Sequence, residues 1–206
     1  KPLAVKSLKK AREALNNMSD DQIGDLQWLI DLYGTAVKKF PDDDWNIRSK
    51  ALLHLRAGQL PKAKSIYKEL CLKMGEKYYI WSEFADCWTD NSAKIALLCK
   101  ALSLEKNEDF IGKIRLELAR QLIKGMKYEN AAIELNLYKQ HYTKMGWRID
   151  SEVDNLLQQC SSVTLTIKNN DAFYSENIPV AEEHAYADIP FTELFLVDKW
   201  KNDDGK

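Results

Sequence analysis

The sequence predicts an all-α protein made of stacked helical hairpins and followed by a C-terminal tail of extended or β character. Three observations support this prediction. Apolar residues recur at three- and four-residue steps from Ala4 to Gln159, which is the spacing of helices with one buried face. A period of 34 residues recurs within that stretch, and strand signals are absent until after Cys160.

Small residues mark the period. Ala51, Ala85 and Ala119 follow one another at intervals of 34 positions, and Ala63 and Ala131 are separated by 68, twice that interval. Two helices of a hairpin can approach closely only where the side chain between them is as small as a methyl group. The spacing therefore predicts a repeated helical hairpin.

One stretch, "SKALLHLRAGQLPKAKSIYKEL", contains a complete unit. A first helix carries His54, a turn is expected at Gly58, and a second helix starts near Pro61 and carries Tyr67. This unit resembles the tetratricopeptide repeat, a motif of two helices joined by a turn. The resemblance covers roughly residues 10–145, and the quoted stretch is its strongest part.

The resemblance implies a right-handed α-α superhelix over residues 1–160, in which an amphipathic helix caps the last repeat. Terminal repeats of such arrays commonly depart from the pattern, because one of their faces lacks a neighbour. The four repeats and the cap are expected at residues 10–43, 44–77, 78–111, 112–145 and 147–160.

The residues after Cys160 have a different character. Residues 161–192 show little periodicity and contain two prolines, so they are predicted to be a linker with at most a short helix from Val180 to Ala187. Leu194 to Trp200 alternates like a strand and runs into an Asn-Asp-Asp-Gly turn. No return strand follows, so residues 193–206 are expected to begin a truncated β element and the chain to be a fragment.

Composition and charge are those of an ordinary globular protein, with 45% hydrophobic and 30% charged residues. The net charge is −1, divided into about +4 on residues 1–160 and −5 on residues 161–206. Neither value gives the concentrated basic surface of a nucleic-acid-binding domain. The apolar runs fall far short of the ~20 residues of a membrane span. The first residues also lack the continuous apolar stretch of a signal peptide.

Four cysteines, Cys71, Cys87, Cys99 and Cys160, lie among apolar neighbours without any Cys-x-x-Cys spacing. They are expected to be reduced, packed thiols, which favours a cytoplasmic protein. The three histidines are each alone in the sequence, so no metal site is expected.

The sequence contains no recognised catalytic or cofactor-binding motif. The chain lacks a Gly-x-Gly-x-x-Gly loop, a Gly-Lys-Ser/Thr phosphate loop and a His-Glu-x-x-His metal motif. Glu83 and Asp86 lie one helical turn apart, but without a second carboxylate pair or a histidine they are interpreted as a solvated surface. The protein is therefore predicted to be no enzyme and to hold no cofactor.

The resemblance also implies a binding groove, because the first helices of successive tetratricopeptide repeats line a concave surface. The groove is expected to be basic and aromatic at one end, acidic in the middle and basic again at the other end. A peptide with a basic residue between acidic ones would complement it. The residues at the family's groove positions are Trp45, Arg48, Leu52, Arg56, Tyr79, Glu83, Asp86, Lys113, Glu117, Arg120 and Lys124.

A chaperone-type carboxylate clamp is not expected in this groove. Such family members hold the terminal carboxylate of a peptide with Lys, Asn and Arg side chains. Leu52, Glu83 and Glu117 occupy three of the required positions, and the two acids would repel the carboxylate of the ligand.

The predicted function is a non-catalytic scaffold that binds a peptide segment or a neighbouring domain in this groove. The chain's own C-terminal tail is another candidate occupant, since its charge of −5 complements the basic ends. No membrane partner is expected.

An alternative interpretation is an accessory helical domain of a larger nucleic-acid-processing bacterial protein, similar to conflict-system proteins, whose C-terminal β-barrel is missing. Nucleic acid would then be bound only through the missing domain. A third interpretation is a stack that supports an enzyme whose active site lies elsewhere in the native chain.

Overall fold

The computed structural model describes residues 3–16 and 26–190, and every regular element in those residues is an α-helix. The all-α prediction is therefore confirmed, while the predicted β element at 193–206 lies outside the described residues. In chain order the helices are α1 (Leu3–Asn16), α2 (Gln27–Lys39), α3 (Asp44–Arg56), α4 (Leu60–Met74), α5 (Tyr78–Asp86), α6 (Asn91–Leu104), α7 (Glu108–Lys124), α8 (Tyr128–Met145), α9 (Val153–Gln159) and α10 (Asp171–Tyr186).

Consecutive helices pair into hairpins, and each hairpin packs on the next. Helix α3 pairs with α4, α5 with α6 and α7 with α8, while α2 packs on α3, α4 on α5 and α6 on α7. The short α9, within the predicted capping helix at 147–160, packs on α7 and α8. The pairing accounts for the periodic alanines, which all lie buried in the main core: Ala51, Ala63, Ala85, Ala119 and Ala131.

Side-chain caps determine where several of these helices begin. The Asp43 carboxylate accepts hydrogen bonds from the backbone N–H groups of the first turn of α3, at 3.1 and 3.3 Å. Asp90 caps α6 in the same way at 2.8 Å, and Asn107 caps α7 at 3.1 Å. Each cap satisfies backbone donors that have no partner within the helix. The three capping residues therefore mark where a connecting segment ends and a helix begins.

Two of the turns that join paired helices place a residue in the left-handed backbone region. Gly58, between α3 and α4, has a φ of 69°, and Met126, between α7 and α8, has a φ of 57°. Met126 lies 68 positions after Gly58, so the two residues occupy equivalent turns. A side chain in this backbone conformation costs roughly 1 to 2 kcal/mol, which glycine avoids.

We expect Met126→Gly to raise the free energy of unfolding by about 1 kcal/mol, because it removes this backbone strain. The greater flexibility of glycine in the unfolded chain opposes the effect but is smaller than the strain that is removed. The Met126 side chain is 76% exposed, so its removal leaves no cavity. Urea denaturation would measure the change. Gly58→Ala is the matched control and should lower stability, whereas a destabilising Met126→Gly would show that the turn at Met126 is unstrained.

Helix α10 occupies a region for which the sequence predicted a linker, residues 161–192. Where at most a short helix from Val180 to Ala187 was expected, the structure has a 16-residue helix, Asp171–Tyr186, that packs on α6 and α4. Ala181 and Ala185 are buried in its contact with the core. The prediction failed because Pro179 lies inside the helix, where it lacks a backbone N–H donor and lowers the local helical propensity. Tertiary packing supplies the stability that the local sequence does not.

A buried polar network attaches the first turn of α10 to α7 and α8. The Glu134 carboxylate is fully buried and accepts hydrogen bonds from Arg115 Nη1 at 2.6 Å, from Asn170 Nδ2 at 2.6 Å and from the Tyr174 hydroxyl. Arg115 also donates to both carboxylate oxygens of Glu108, at 2.8 and 2.6 Å. We call these five residues the Arg115–Glu134 network. The network surrounds the buried Glu134 carboxylate with several hydrogen-bond donors. A charge removed from water is costly unless it is paired in this way.

Burial and the Glu134 carboxylate raise the pKa of Tyr174 far above its ordinary value. The pKa of Arg115 is raised as well, because its hydrogen bonds to Glu108 and its attraction to Glu134 outweigh the opposing cost of burial. Both groups therefore keep their protons throughout the pH range in which proteins are normally studied.

Candidate functional site

The predicted groove residues lie on α3, α5 and α7, the first helices of the three hairpins, and their contacts form two clusters. The first cluster joins α3 to α5, and the second joins α7 to Glu152, the residue just before α9. We define the binding face as the predicted groove residues of these two clusters together with Asp86 of α5, which lies between them: Trp45, Arg48, Tyr79, Glu83, Asp86, Glu117 and Arg120.

An aromatic pair with a guanidinium beside it forms the first cluster. The rings of Trp45 and Tyr79 are stacked with centroids 6.2 Å apart and planes inclined by 22°. The guanidinium carbon of Arg48 lies 4.5 Å from the Tyr79 centroid and 5.5 Å from that of Trp45. Trp45 remains 48% exposed. The pair therefore offers an ordered aromatic surface to solvent, held in place by a cation–π contact.

The charge of Arg48 is already engaged by an acid of the neighbouring hairpin. Arg48 Nε donates to the two carboxylate oxygens of Glu83 at 3.2 and 3.0 Å, and Nη2 donates to the same group. The buried Tyr67 hydroxyl of α4 donates to Glu83 Oε2 at 3.1 Å. Two hydrogen bonds in this fork geometry orient both side chains. At the predicted basic end of the groove, the charge of Arg48 is therefore neutralised by Glu83.

Arg120 is engaged in the second cluster in the same manner. Its Nη1 donates to Glu117 Oε2 at 2.7 Å, and its Nε and Nη2 donate to the carboxylate of Glu152, just before α9. Gln121 Nε2 donates to the other oxygen of Glu117 at 2.6 Å. These bonds raise the pKa of Arg120, the largest contribution coming from Glu152. At the second predicted basic end, the Arg120 guanidinium is thus also paired with acids, and its orientation is fixed by these bonds.

Asp86 lies between the two clusters and differs from its neighbours. Among the described residues it has no hydrogen-bond or ion-pair partner, and its side chain is exposed. The surrounding protein reduces its solvation and raises its pKa to about 6, and the Glu117 and Glu83 carboxylates act in the same direction. Lys94 of α6 opposes this rise without reaching ion-pair distance. The charged form of Asp86 is therefore only partly compensated by Lys94 and has no ion-pair partner among the described residues.

The other predicted groove residues stand apart from these two clusters. Leu52 is half-buried on α3, and Arg56, Lys113 and Lys124 are exposed. Sequence reasoning missed Glu152, which completes the pairing of Arg120. No signal could have found it, because the pairing depends on how the chain after α8 folds back onto α7.

The described residues contain no group of three or more His, Cys, Asp or Glu side chains that could hold a metal ion. All four cysteines are buried and free, and burial raises the pKa of Cys71 and of Cys87 to about 12. Such thiols remain protonated and are poor nucleophiles.

None of the helices in residues 3–16 and 26–190 combines the length and the hydrophobicity that crossing a membrane requires.

A family model described as "Domain of unknown function (DUF7017)" matches residues 44–181. The match begins with α3 and reaches into α10, so it includes all three hairpins and most of the helix that packs on them. No curated protein and no solved structure matches the chain. The predicted membership of the tetratricopeptide repeat family is wrong, because the family that matches is a different one and no tetratricopeptide repeat family matches.

The error has a physical origin. Buried alanines at a spacing of 34 report only that paired helices approach closely at regular intervals. Any stack of hairpins with this length of helix and turn produces the same spacing, so the period does not identify the family.

Proposed function

The chain belongs to the DUF7017 family, a domain of unknown function, and from the geometry of its helices we propose that it is a non-catalytic module that binds a protein segment. The segment lies across α3, α5 and α7 on the binding face. One observation carries the proposal: Asp86, a carboxylate without an ion-pair partner in the described residues, shares a face with the ordered aromatic pair of Trp45 and Tyr79. Exposed aromatic anchors beside oriented charges are typical of binding surfaces.

The chemistry of the face selects the ligand. Asp86 attracts a Lys or Arg side chain, whose positive charge would compensate the negative charge of its carboxylate. The Trp45–Tyr79 pair accepts an apolar or cationic side chain on its rings. The ligand is therefore a segment that combines a basic residue with an apolar one.

This ligand differs from the one that the sequence predicted. The sequence indicated a basic residue flanked by acidic ones, because Arg48 and Arg120 were expected to attract acids. Both arginines already hold carboxylates of the protein itself. Flanking acids in the ligand would have to compete with these bonds, so we propose that they are not required.

The proposal includes the predicted right-handed superhelix, which would curve the binding face around an extended segment. Contacts between successive hairpins support stacking in one direction. The described part of the acidic tail does not supply the segment in this proposal, since α10 packs on α6 and α4.

We expect a displayed random-peptide library, selected on the full chain, to enrich segments with Lys or Arg near an aromatic or aliphatic residue. Asp86→Lys should weaken binding of the selected peptides by about tenfold or more, because it places a like charge against the ligand's cation. Glu176→Lys is the matched control, since it makes the same change of charge at an exposed acid of α10 outside the face. Its affinity should equal that of the unaltered chain.

Two results would contradict the proposal. One is a selection without enrichment of basic residues, and the other is equal affinity of the two variants. In a separate experiment, binding of single-stranded RNA and DNA to the chain is measured at two salt concentrations. Salt-sensitive binding to them, without peptide binding, would favour the nucleic-acid interpretation instead.

The affinity for such a peptide should fall as the pH is lowered through about 6. Protonation of Asp86, whose pKa is raised to about 6 in the free protein, removes the charge that attracts the ligand. Above that pH the carboxylate is ionised and the affinity should be constant. Titration calorimetry from pH 5 to pH 8 would measure this, and Asp86→Asn should flatten the profile. A fall that persists in Asp86→Asn would assign the pH dependence to another group.

A further inference from the structure

A second concave site lies between α2, α3 and α4, away from the binding face. It is a pocket of about 440 Å³, a volume within the range of small-molecule sites. Ile30 and Val37 of α2 form an apolar part of its wall. The family match begins at residue 44, so the pocket forms where α2, outside the match, packs on the first matched hairpin.

Three lysines from three different helices line this pocket: Lys38 of α2, Lys50 of α3 and Lys62 of α4. None of them forms an ion pair with a carboxylate in the described part of the chain. Asp31 is the one acid in the lining, and its carboxylate accepts a hydrogen bond from Gln27 Nε2 at 2.8 Å. The lining therefore carries an excess of two positive charges, and no carboxylate in residues 3–16 or 26–190 forms an ion pair with any of the three lysines.

His54 lies in the wall of the same pocket with only 4% of its surface exposed. Its Nδ1 is 2.9 Å from Gln59 Oε1, and this oxygen also accepts a hydrogen bond from Lys62 Nζ at 3.2 Å. Because an amide oxygen can only accept hydrogen bonds, the Nδ1 atom of His54 must be the donor in this contact and carries the proton. Burial lowers the pKa of His54, and Lys50 and Lys62 lower it further. The pKa of the His54 imidazole therefore depends on the charge in the pocket.

We propose that this pocket binds a small organic phosphate. Three ammonium groups on separate helices, none in an ion pair within the described residues, match the charge of a phosphate monoester, about −1.5 to −2 near neutral pH, better than that of a carboxylate. The apolar wall at Ile30 and Val37 and the size of the pocket leave room for an organic group attached to the phosphate. The site is independent of the binding face, since none of its lining residues belongs to that face.

The test uses the full chain and follows the imidazole signals of its three histidines by NMR during pH titrations. His141→Gln and His184→Gln assign the signals by elimination. Adenosine monophosphate and glucose 6-phosphate are the probes, with adenosine and glucose as their uncharged counterparts. Bound phosphate should raise the pKa of His54 by roughly 1 or more, because a nearby anion favours the imidazolium. The signals of His141 and His184 serve as internal controls and should not move.

Lys50→Gln combined with Lys62→Gln should weaken binding of both phosphates by at least about tenfold, since two charge-assisted hydrogen bonds are lost. Lys106→Gln combined with Lys144→Gln removes the same charge from exposed positions elsewhere and should leave binding unchanged. An unaltered pKa of His54 with both phosphates overturns the proposal. So does equal binding of adenosine and adenosine monophosphate, or equal loss of affinity in the two double variants.

Discussion

Glu134→Ala is expected to lower the free energy of unfolding by about 3 to 5 kcal/mol, the range for removing one partner of a buried ion pair. The substitution leaves Arg115, a buried residue, without its most deeply buried partner. It also removes the carboxylate that accepts hydrogen bonds from the Tyr174 hydroxyl and from the Asn170 amide, which retains its bond to the Asn130 carbonyl. Helix α10 should therefore be released from α8 before the rest of the protein unfolds. Urea denaturation measures the first effect, and hydrogen exchange of the α10 amides measures the second.

A double variant separates the cost of a lone charge from the value of the pair. Arg115→Met together with Glu134→Leu replaces the pair with apolar side chains and should recover most of the lost stability. Glu69→Ala breaks the exposed pair with Lys73 and should change stability by no more than about 1 kcal/mol. If Glu134→Ala costs no more than Glu69→Ala, the buried network does not hold α10.

Trp81→Ala is expected to cost about 3 to 5 kcal/mol, because it removes the largest fully buried side chain of the core. The indole Nε1 donates to the Gly75 carbonyl at 2.7 Å, which joins α5 to the end of α4. The ring also meets Tyr186 of α10 edge to face, with centroids 6.0 Å apart. The variant should thus loosen both the α4–α5 joint and the end of α10.

Two further variants define what the Trp81 result means. Trp28→Ala removes the same side chain where it is 64% exposed and should change stability by about 0.5 kcal/mol or less. Trp81→Phe keeps most of the apolar volume but leaves the Gly75 carbonyl without its donor, so an intermediate loss of about 1 to 3 kcal/mol is expected. Thermal or urea unfolding of the three variants measures these differences. A loss in Trp81→Ala as small as that in Trp28→Ala would contradict the placement of Trp81 in the core.

The helices and their pairing could be predicted from the sequence because the signals are local. Apolar spacing at three and four residues follows from the geometry of one helix. The caps are local as well, because Asp43, Asp90 and Asn107 each bond to the first turn of the helix that follows them. The regular alanines indicated where helices approach one another. The same local geometry placed Trp45, Glu83 and Glu117 on the first helices of successive hairpins, so candidate residues of one face could be selected.

The sequence by itself thus determined the helical class, the hairpin period and the side chains that share a helix face. Only the tertiary structure decided how those side chains are used. Arg48 lies 35 residues from Glu83, and Arg120 lies 32 residues from Glu152, yet each pair is in contact. Helix α10, whose Pro179 argues against a helix, exists because α6 and Glu134 compensate its weak local preference. The physical reason is that partners distant in the chain supply the energy for these features, and no local spacing encodes which partners meet.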